Sequence, residues 1–168
     1  MFDRKPQRKY TDRHTALLKM QHYCAYQERC HSEVRTKLIE LGCFGEDLEG
    51  VIADLISENF LDEERFAQMY AQGKFNIKRW GRIRIRLELK AKKVSEYSIK
   101  KALNQWDEVD YFKGIQDCVV KKSRLLAEQD SYLRRQKLFM YALQKGFESD
   151  LVHKALNWFE QEWKDDLL

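Results

Sequence analysis

The sequence predicts an all-α fold: three tandem three-helix repeats forming an elongated, curved helical protein. Three observations carry that expectation. Seven glycines and one proline in 168 residues are too few for a turn-rich β-protein, while 43% hydrophobic and 35% charged residues suit helices that are apolar on one face and solvated on the other. Two helix starts are written locally, at Leu61 to Phe66 and at Val94 to Ile99. Sliding the chain by 51 and then by 53 residues also lays apolar positions on apolar positions at helical spacing, which is the mark of an internal repeat.

Taken in order, residues 1–10 are polar and basic, hold the only proline and are expected to form a disordered arm. The first repeat, 11–60, begins with Ala16, Leu17, Met20, Cys24 and Ala25 at a 3.6-residue spacing. Its second helix carries Val34, Leu38 and Leu41 and ends at Gly42, and its third runs from about Gly45 through Leu48, Val51, Ile52, Leu55 and Ile56. The second repeat, 61–106, opens on Asp62, whose carboxylate can accept from the free N–H groups of the first turn, with Glu63 and Glu64 suiting the positive end of the helix dipole. Leu61 and Phe66 flank that cap as a hydrophobic staple, and Ser95 with Val94 and Ile99 repeats the arrangement.

Between these starts, Ile83 to Leu89 alternates apolar and polar residues like a strand. Strong helix formers, and aligned segments that do not alternate, predict instead a helix with Ile85 and Leu89 inward. The third repeat, 107–168, is expected to have one long first helix over 107–128 and a last helix with Val152, Leu156, Phe159 and Trp163 on one stripe.

In the repeat register Val34, Ile85 and Leu138 fall together, as do Leu38, Leu89 and Ala142, then Gly42, Lys93 and Gly146 at a turn. Beyond the turn come Cys43, Val94 and Phe147; Leu48, Ile99 and Val152; Val51, Ala102 and Ala155; Ile52, Leu103 and Leu156; and Leu55, Trp106 and Phe159. Each unit of about 50 residues is too small to be comfortable alone, so neighbours are expected to bury each other's faces and leave a long outer surface for a partner.

Charge is distributed unevenly. Lys74, Lys78, Arg79, Arg82, Arg84, Arg86, Lys90, Lys92 and Lys93 stand against the single acid Glu88, giving +8 over residues 74–93 in a chain whose total is only +4. Trp80 lies among them, and an aromatic with arginine neighbours suits contact with a polyanion.

No catalytic constellation is present: no phosphate-cradling glycine loop, no His-Glu-x-x-His, and acidic clusters only at helix starts. Cys24, Cys30, Cys43 and Cys118 form no Cys-x-x-Cys pair, and with His22 and His31 they match no standard zinc spacing, so neither metal nor cofactor is expected. The four histidines, His14, His22, His31 and His153, are scattered, and reduced cysteines in a chain without an apolar leader or membrane-length apolar run point to a cytoplasmic protein.

Leu61-Asp62-Glu63-Glu64-Arg65-Phe66-Ala67, then Gly81 with Arg84 to Leu89, then Ser95 to Leu103, resemble the central signature of the RecX family of regulators of the RecA recombinase. The resemblance is specific in the middle repeat and continues more weakly through the first repeat and through Leu138 to Leu156. Lys93 stands where that family usually has glycine, and Arg82 where it often has proline. The resemblance implies a non-enzymatic monomer acting in homologous recombination, DNA repair and the SOS response. It would bind the RecA filament on single-stranded DNA, directly or through RecA, suppress ATP hydrolysis and strand exchange, and promote disassembly, with the basic block facing RecA or DNA. The alternative is a helix-turn-helix-like DNA-binding protein acting without RecA. Against it, Arg82 to Lys93 precede the turn, while the helix after it offers only Lys100 and Lys101.

Overall fold

The computed structural model describes residues 10–127 and 130–165, with the side chains of 163–165 left aside. The expectation for residues 1–9 lies outside that range. Among the described residues all regular structure is helical: α1 (Arg13–Tyr26), α2 (His31–Leu41), α3 (Gly45–Ser57), α4 (Glu63–Lys78), α5 (Arg82–Ala91), α6 (Glu96–Leu103), α7 (Glu108–Ser123), α8 (Ser131–Lys145) and α9 (Ser149–Asp165). No helix among them is long and apolar enough to cross a membrane.

Local chemistry sets the ends. Asp12, Asp62, Ser95, Asp107 and Asp130 each sit in extended backbone and accept from the N–H three residues on, which satisfies one of the orphan donors of the first turn. The three aligned turns close in the same way. Gly42, Lys93 and Gly146 are all left-handed, at φ 85°, 60° and 90°, and the N–H of the apolar residue after each reaches back to Leu38, Leu89 and Ala142. Lys93 thus adopts a conformation that favours glycine.

The alternating segment Ile83 to Leu89 is helical, with Ile85 and Leu89 fully buried and Ile83 and Leu87 exposed. Every residue in the apolar columns of the repeat register is buried. Each unit packs its third helix on its first, α3 on α1, α6 on α4 and α9 on α7, with the second helix across them.

Two expectations differ. The first helix of the third unit stops at Ser123, because the Ser123 hydroxyl donates to Val120 O at 2.7 Å, Arg134 donates to Ser123 O at 3.3 Å, and the chain turns through Leu125 and Leu126. At 16 residues α7 is as long as α4, and the added length lies in the connection to α8 and in α8 itself. Nor do Leu61 and Phe66 form a staple: Leu61 belongs to the core of the first unit and Phe66 to the next.

The cores show how the units join. The first unit has its own, built on Ala16, Met20, Val34, Leu38, Val51 and Leu55. The second and third units share one, in which Phe75 meets Trp106 at 4.7 Å and Tyr111 at 5.6 Å, and Tyr111 meets Phe147 at 5.9 Å. Cys30, at the start of α2, plugs into this second core.

The second helices follow one another end to end, the C-terminal turn of α8 meeting the N-terminus of α5, and that of α5 meeting the N-terminus of α2. At the α8–α5 joint the Gly81 N–H donates to Lys145 O at 2.8 Å and the Ile83 N–H to Gly146 O at 3.1 Å. Orphan donors of one helix thereby satisfy orphan acceptors of another, with the two dipoles head to tail. At the α5–α2 joint side chains do this work: Ser32 Oγ donates to Lys92 O at 2.7 Å, and Lys92 Nζ meets Glu33 at 2.7 Å.

Candidate polyanion-binding surface

The basic block of the sequence lies on the end of α4, the turn after it, and α5. Tertiary contacts divide it in two. Arg79, left-handed at φ 52° where α4 ends, meets Asp117 at 3.5 Å. Arg86 is paired with Glu96, Lys90 lies 3.4 Å from the same carboxylate, and Lys92 is held by Glu33. These four cations share three carboxylates within the molecule.

The other five, Lys74, Lys78, Arg82, Arg84 and Lys93, have no ion pair among the described residues. Arg82 is nonetheless occupied. Its guanidinium stacks 3.8 Å over the Tyr111 ring and donates through Nε to Leu103 O at 3.2 Å, while its backbone N–H donates to the Tyr111 hydroxyl at 2.9 Å. That hydroxyl in turn donates to Glu148 at 2.7 Å, and burial together with Glu148 pushes its pKa upward. Arg82 therefore secures the seam between the second and third units.

Lys74 and Arg84 are held by rings. Trp80 receives the Lys74 ammonium at 4.9 Å and the Arg84 guanidinium at 4.1 Å, and Tyr70 receives Lys74 at 5.1 Å and Lys92 at 5.6 Å. Lys92, Tyr70, Lys74, Trp80 and Arg84 thus alternate cation and ring along the α4–α5 crevice. A ring positions a cation without cancelling its charge, so Lys74 and Arg84 remain available to an anion in a fixed geometry. Lys78 and Lys93 are exposed.

The surface continues across the seam onto residues that sequence reasoning missed. Arg84 donates to Gln144 O at 3.3 Å, and Lys145 Nζ donates to Lys78 O at 3.0 Å. The Tyr141 ring holds Lys145 at 5.4 Å and Lys122 at 4.8 Å, a second ring with two cations, and neither lysine has an ion pair among the described residues. Tyr141 and Lys145 are four apart on α8, a spacing legible in the sequence, whereas Lys122 comes from α7 and only the packing of those helices brings it there.

Lys101 on α6 is paired with Glu64, and Glu96 at the start of α6 is held by Arg86 and Lys90, so the helix after the turn presents little free positive charge apart from Lys100. Burial raises the Cys24 and Cys118 thiols to about 11, which leaves them neutral and unreactive at pH 7.

Comparison with known proteins agrees with this architecture. The RecX second three-helix domain matches residues 62–103 and the RecX third three-helix domain residues 108–156, together just over half of the chain. Regulatory protein RecX of Prosthecochloris aestuarii is 28% identical over 147 residues, covering 88% of this chain and 95% of that protein. Regulatory protein RecX of Halalkalibacterium halodurans is 28% identical over 134 residues, but the chain spans only 50% of its length. A crystal structure of regulatory protein RecX superposes with a TM-score of 0.78 at 26% identity, over 86% of this chain and 71% of that one. RecX from Lactobacillus salivarius superposes with a TM-score of 0.81 at 20% identity, over 89% and 97%, which speaks to the fold.

Proposed function

This chain belongs to the RecX family, and from that premise we propose that it is a non-enzymatic modulator of the RecA recombinase, binding the RecA filament on single-stranded DNA and suppressing its ATPase and strand exchange. The observation that carries the proposal is the row of ring-held, un-neutralised cations, Lys74, Arg84, Lys145 and Lys122, on units whose second helices run end to end. At 1.5 Å per residue those three helices sum to about 54 Å, long enough for one molecule to touch more than one subunit of a filament. Positive charge fixed along such a length suits an acidic protein surface or DNA phosphates and steers association with either.

Lys78 and Lys93 add exposed cations to the row, whereas Arg79, Arg82, Arg86, Lys90 and Lys92 shape it from within. In this reading the protein acts as a monomer, each molecule presenting the whole surface. The test is the single-stranded-DNA-dependent ATP hydrolysis of the cognate RecA, titrated with this protein well below equimolar amounts. Strong inhibition at those ratios is expected, since a few molecules acting on filament continuity affect many subunits. An unaffected ATPase at every ratio, with RecA itself active, would overturn the proposal.

A further inference from the structure

Between α7 and α8, beside the Tyr141 ring, lies an open cleft of about 440 Å³ that the basic block does not include. It is lined by Leu126, Met140 and Tyr141, apolar and able to lie against a flat ring, together with Lys122, Lys137 and the side-chain amides of Gln136 and Gln144. Met140 is 54% exposed, an apolar side chain left uncovered next to two cations. The amide nitrogen of Gln136 donates to the Tyr132 hydroxyl at 2.9 Å, which leaves its carbonyl oxygen able to accept. Apolar walls, two amides carrying both donors and acceptors, and flanking lysines make the chemistry of a nucleobase joined to phosphates.

The charge complementarity is local. Lys122 and Lys145 stand on the Tyr141 ring at 4.8 Å and 5.4 Å, and Lys145 bonds back to the carbonyl of Lys78 at the edge of the first strip. A strand whose phosphates follow Lys74, Arg84, Lys145 and Lys122 arrives at the cleft mouth with a base free to enter. A duplex cannot do this, because its bases are paired and stacked.

We propose that the α7–α8 cleft receives an unstacked base of single-stranded nucleic acid, whose phosphates are held by Lys122 and Lys145, so that the protein grips a bare single strand without RecA. This deepens the preceding proposal and rests on the same strip. Its test, however, contains no RecA, so direct strand binding and filament regulation can fail separately.

The experiment is fluorescence anisotropy of a labelled thymidine 15-mer with the full chain. Controls are the same strand annealed to its complement, and polyglutamate as a competitor of similar charge. Variants are Tyr141→Ala, Tyr141→Phe, and Lys122→Gln with Lys145→Gln, each checked for native helicity and melting. The single strand is expected to bind more tightly than the duplex and to resist polyglutamate. Tyr141→Ala should weaken binding about five-fold or more, as loss of a stacking platform does, while Tyr141→Phe retains it. The double glutamine variant should lower the salt slope by about 1.4, two single-strand phosphate contacts. Equal binding of duplex and single strand, full displacement by polyglutamate, or Tyr141→Ala binding like the unaltered protein would each overturn the proposal.

Discussion

Gly81 and Gly146 meet backbone to backbone: a Cβ built on Gly81 falls 2.2 Å from the Gly146 carbonyl oxygen, and one on Gly146 falls 2.4 Å from Cβ of Arg84. The α8–α5 joint exists in this form only because both positions lack a side chain, and Gly146 also needs its φ of 90°. At the α5–α2 joint Cys30 occupies the position equivalent to Gly81, and side-chain contacts replace the backbone bonds.

Gly81→Ala should therefore destabilise by about 1–3 kcal/mol, the range for forcing atoms into a filled space. Gly73→Ala should act in the opposite direction, since a Cβ there meets nothing within 4 Å, and alanine in a helix interior gains about 0.5–1 kcal/mol over glycine. Thermal melting of the two variants checks both signs, and a stabilised Gly81→Ala would contradict the close approach.

Tyr111→Phe removes a hydroxyl that accepts from the Arg82 N–H and donates to Glu148, all at a buried seam. Leaving those partners unsatisfied should cost about 1–3 kcal/mol. The loss should appear in hydrogen exchange as faster opening at Gly81 to Ile83 than in the first unit.

The Glu33–Lys92 pair gives the α5–α2 joint a pH window. Burial alone would raise the Glu33 carboxyl, but the bond from Lys92 and the backbone N–H of Cys30 hold it below its ordinary value of 4.5. A depressed carboxyl contributes stability that is present above the unfolded value and lost as pH falls through the folded one. For Lys92 the bond to Glu33 outweighs burial and raises the ammonium above 10.5, so its contribution is present below that value and lost as pH rises beyond it. This pair's contribution to the melting temperature should be constant between these limits and fall on either side, so that Glu33→Gln flattens the part of the acid limb attributable to it.

In the RecA ATPase assay the ring-held and the carboxylate-held cations should separate. Lys74→Glu with Arg84→Glu should weaken inhibition about ten-fold or more, because charge reversal removes attraction and adds repulsion. Arg86→Ala leaves Glu96 to Lys90 and removes no cation that faces outward alone, so its effect should stay within about three-fold. Equal losses in the two variants would show that net charge, rather than this arrangement, governs binding.

Much of the fold was legible because its signals are local. Asp62 and Ser95 cap helices through bonds three residues away, and the turn column of Gly42, Lys93 and Gly146 is left-handed throughout. Even the strand-like run at Ile83 to Leu89 was recoverable from its aligned copies. The candidate surface was only half legible. Nine cations stood out by number, but which of them remained free depended on Asp117, Glu96 and Glu33, residues 6 to 59 positions away.

The sequence by itself determined the helices, their ends and the threefold register, because hydrophobic period, capping and left-handed turns are properties of a few neighbouring residues. Only the tertiary structure decided that the second and third units share a core while the first keeps its own, and that Arg82 locks a seam while Arg84 faces outward beside it. It also brought Lys122 to the Tyr141 ring. Helix packing places carboxylates and rings from distant segments against each charge, and the sign and strength of those contacts depend on distances that no local pattern encodes.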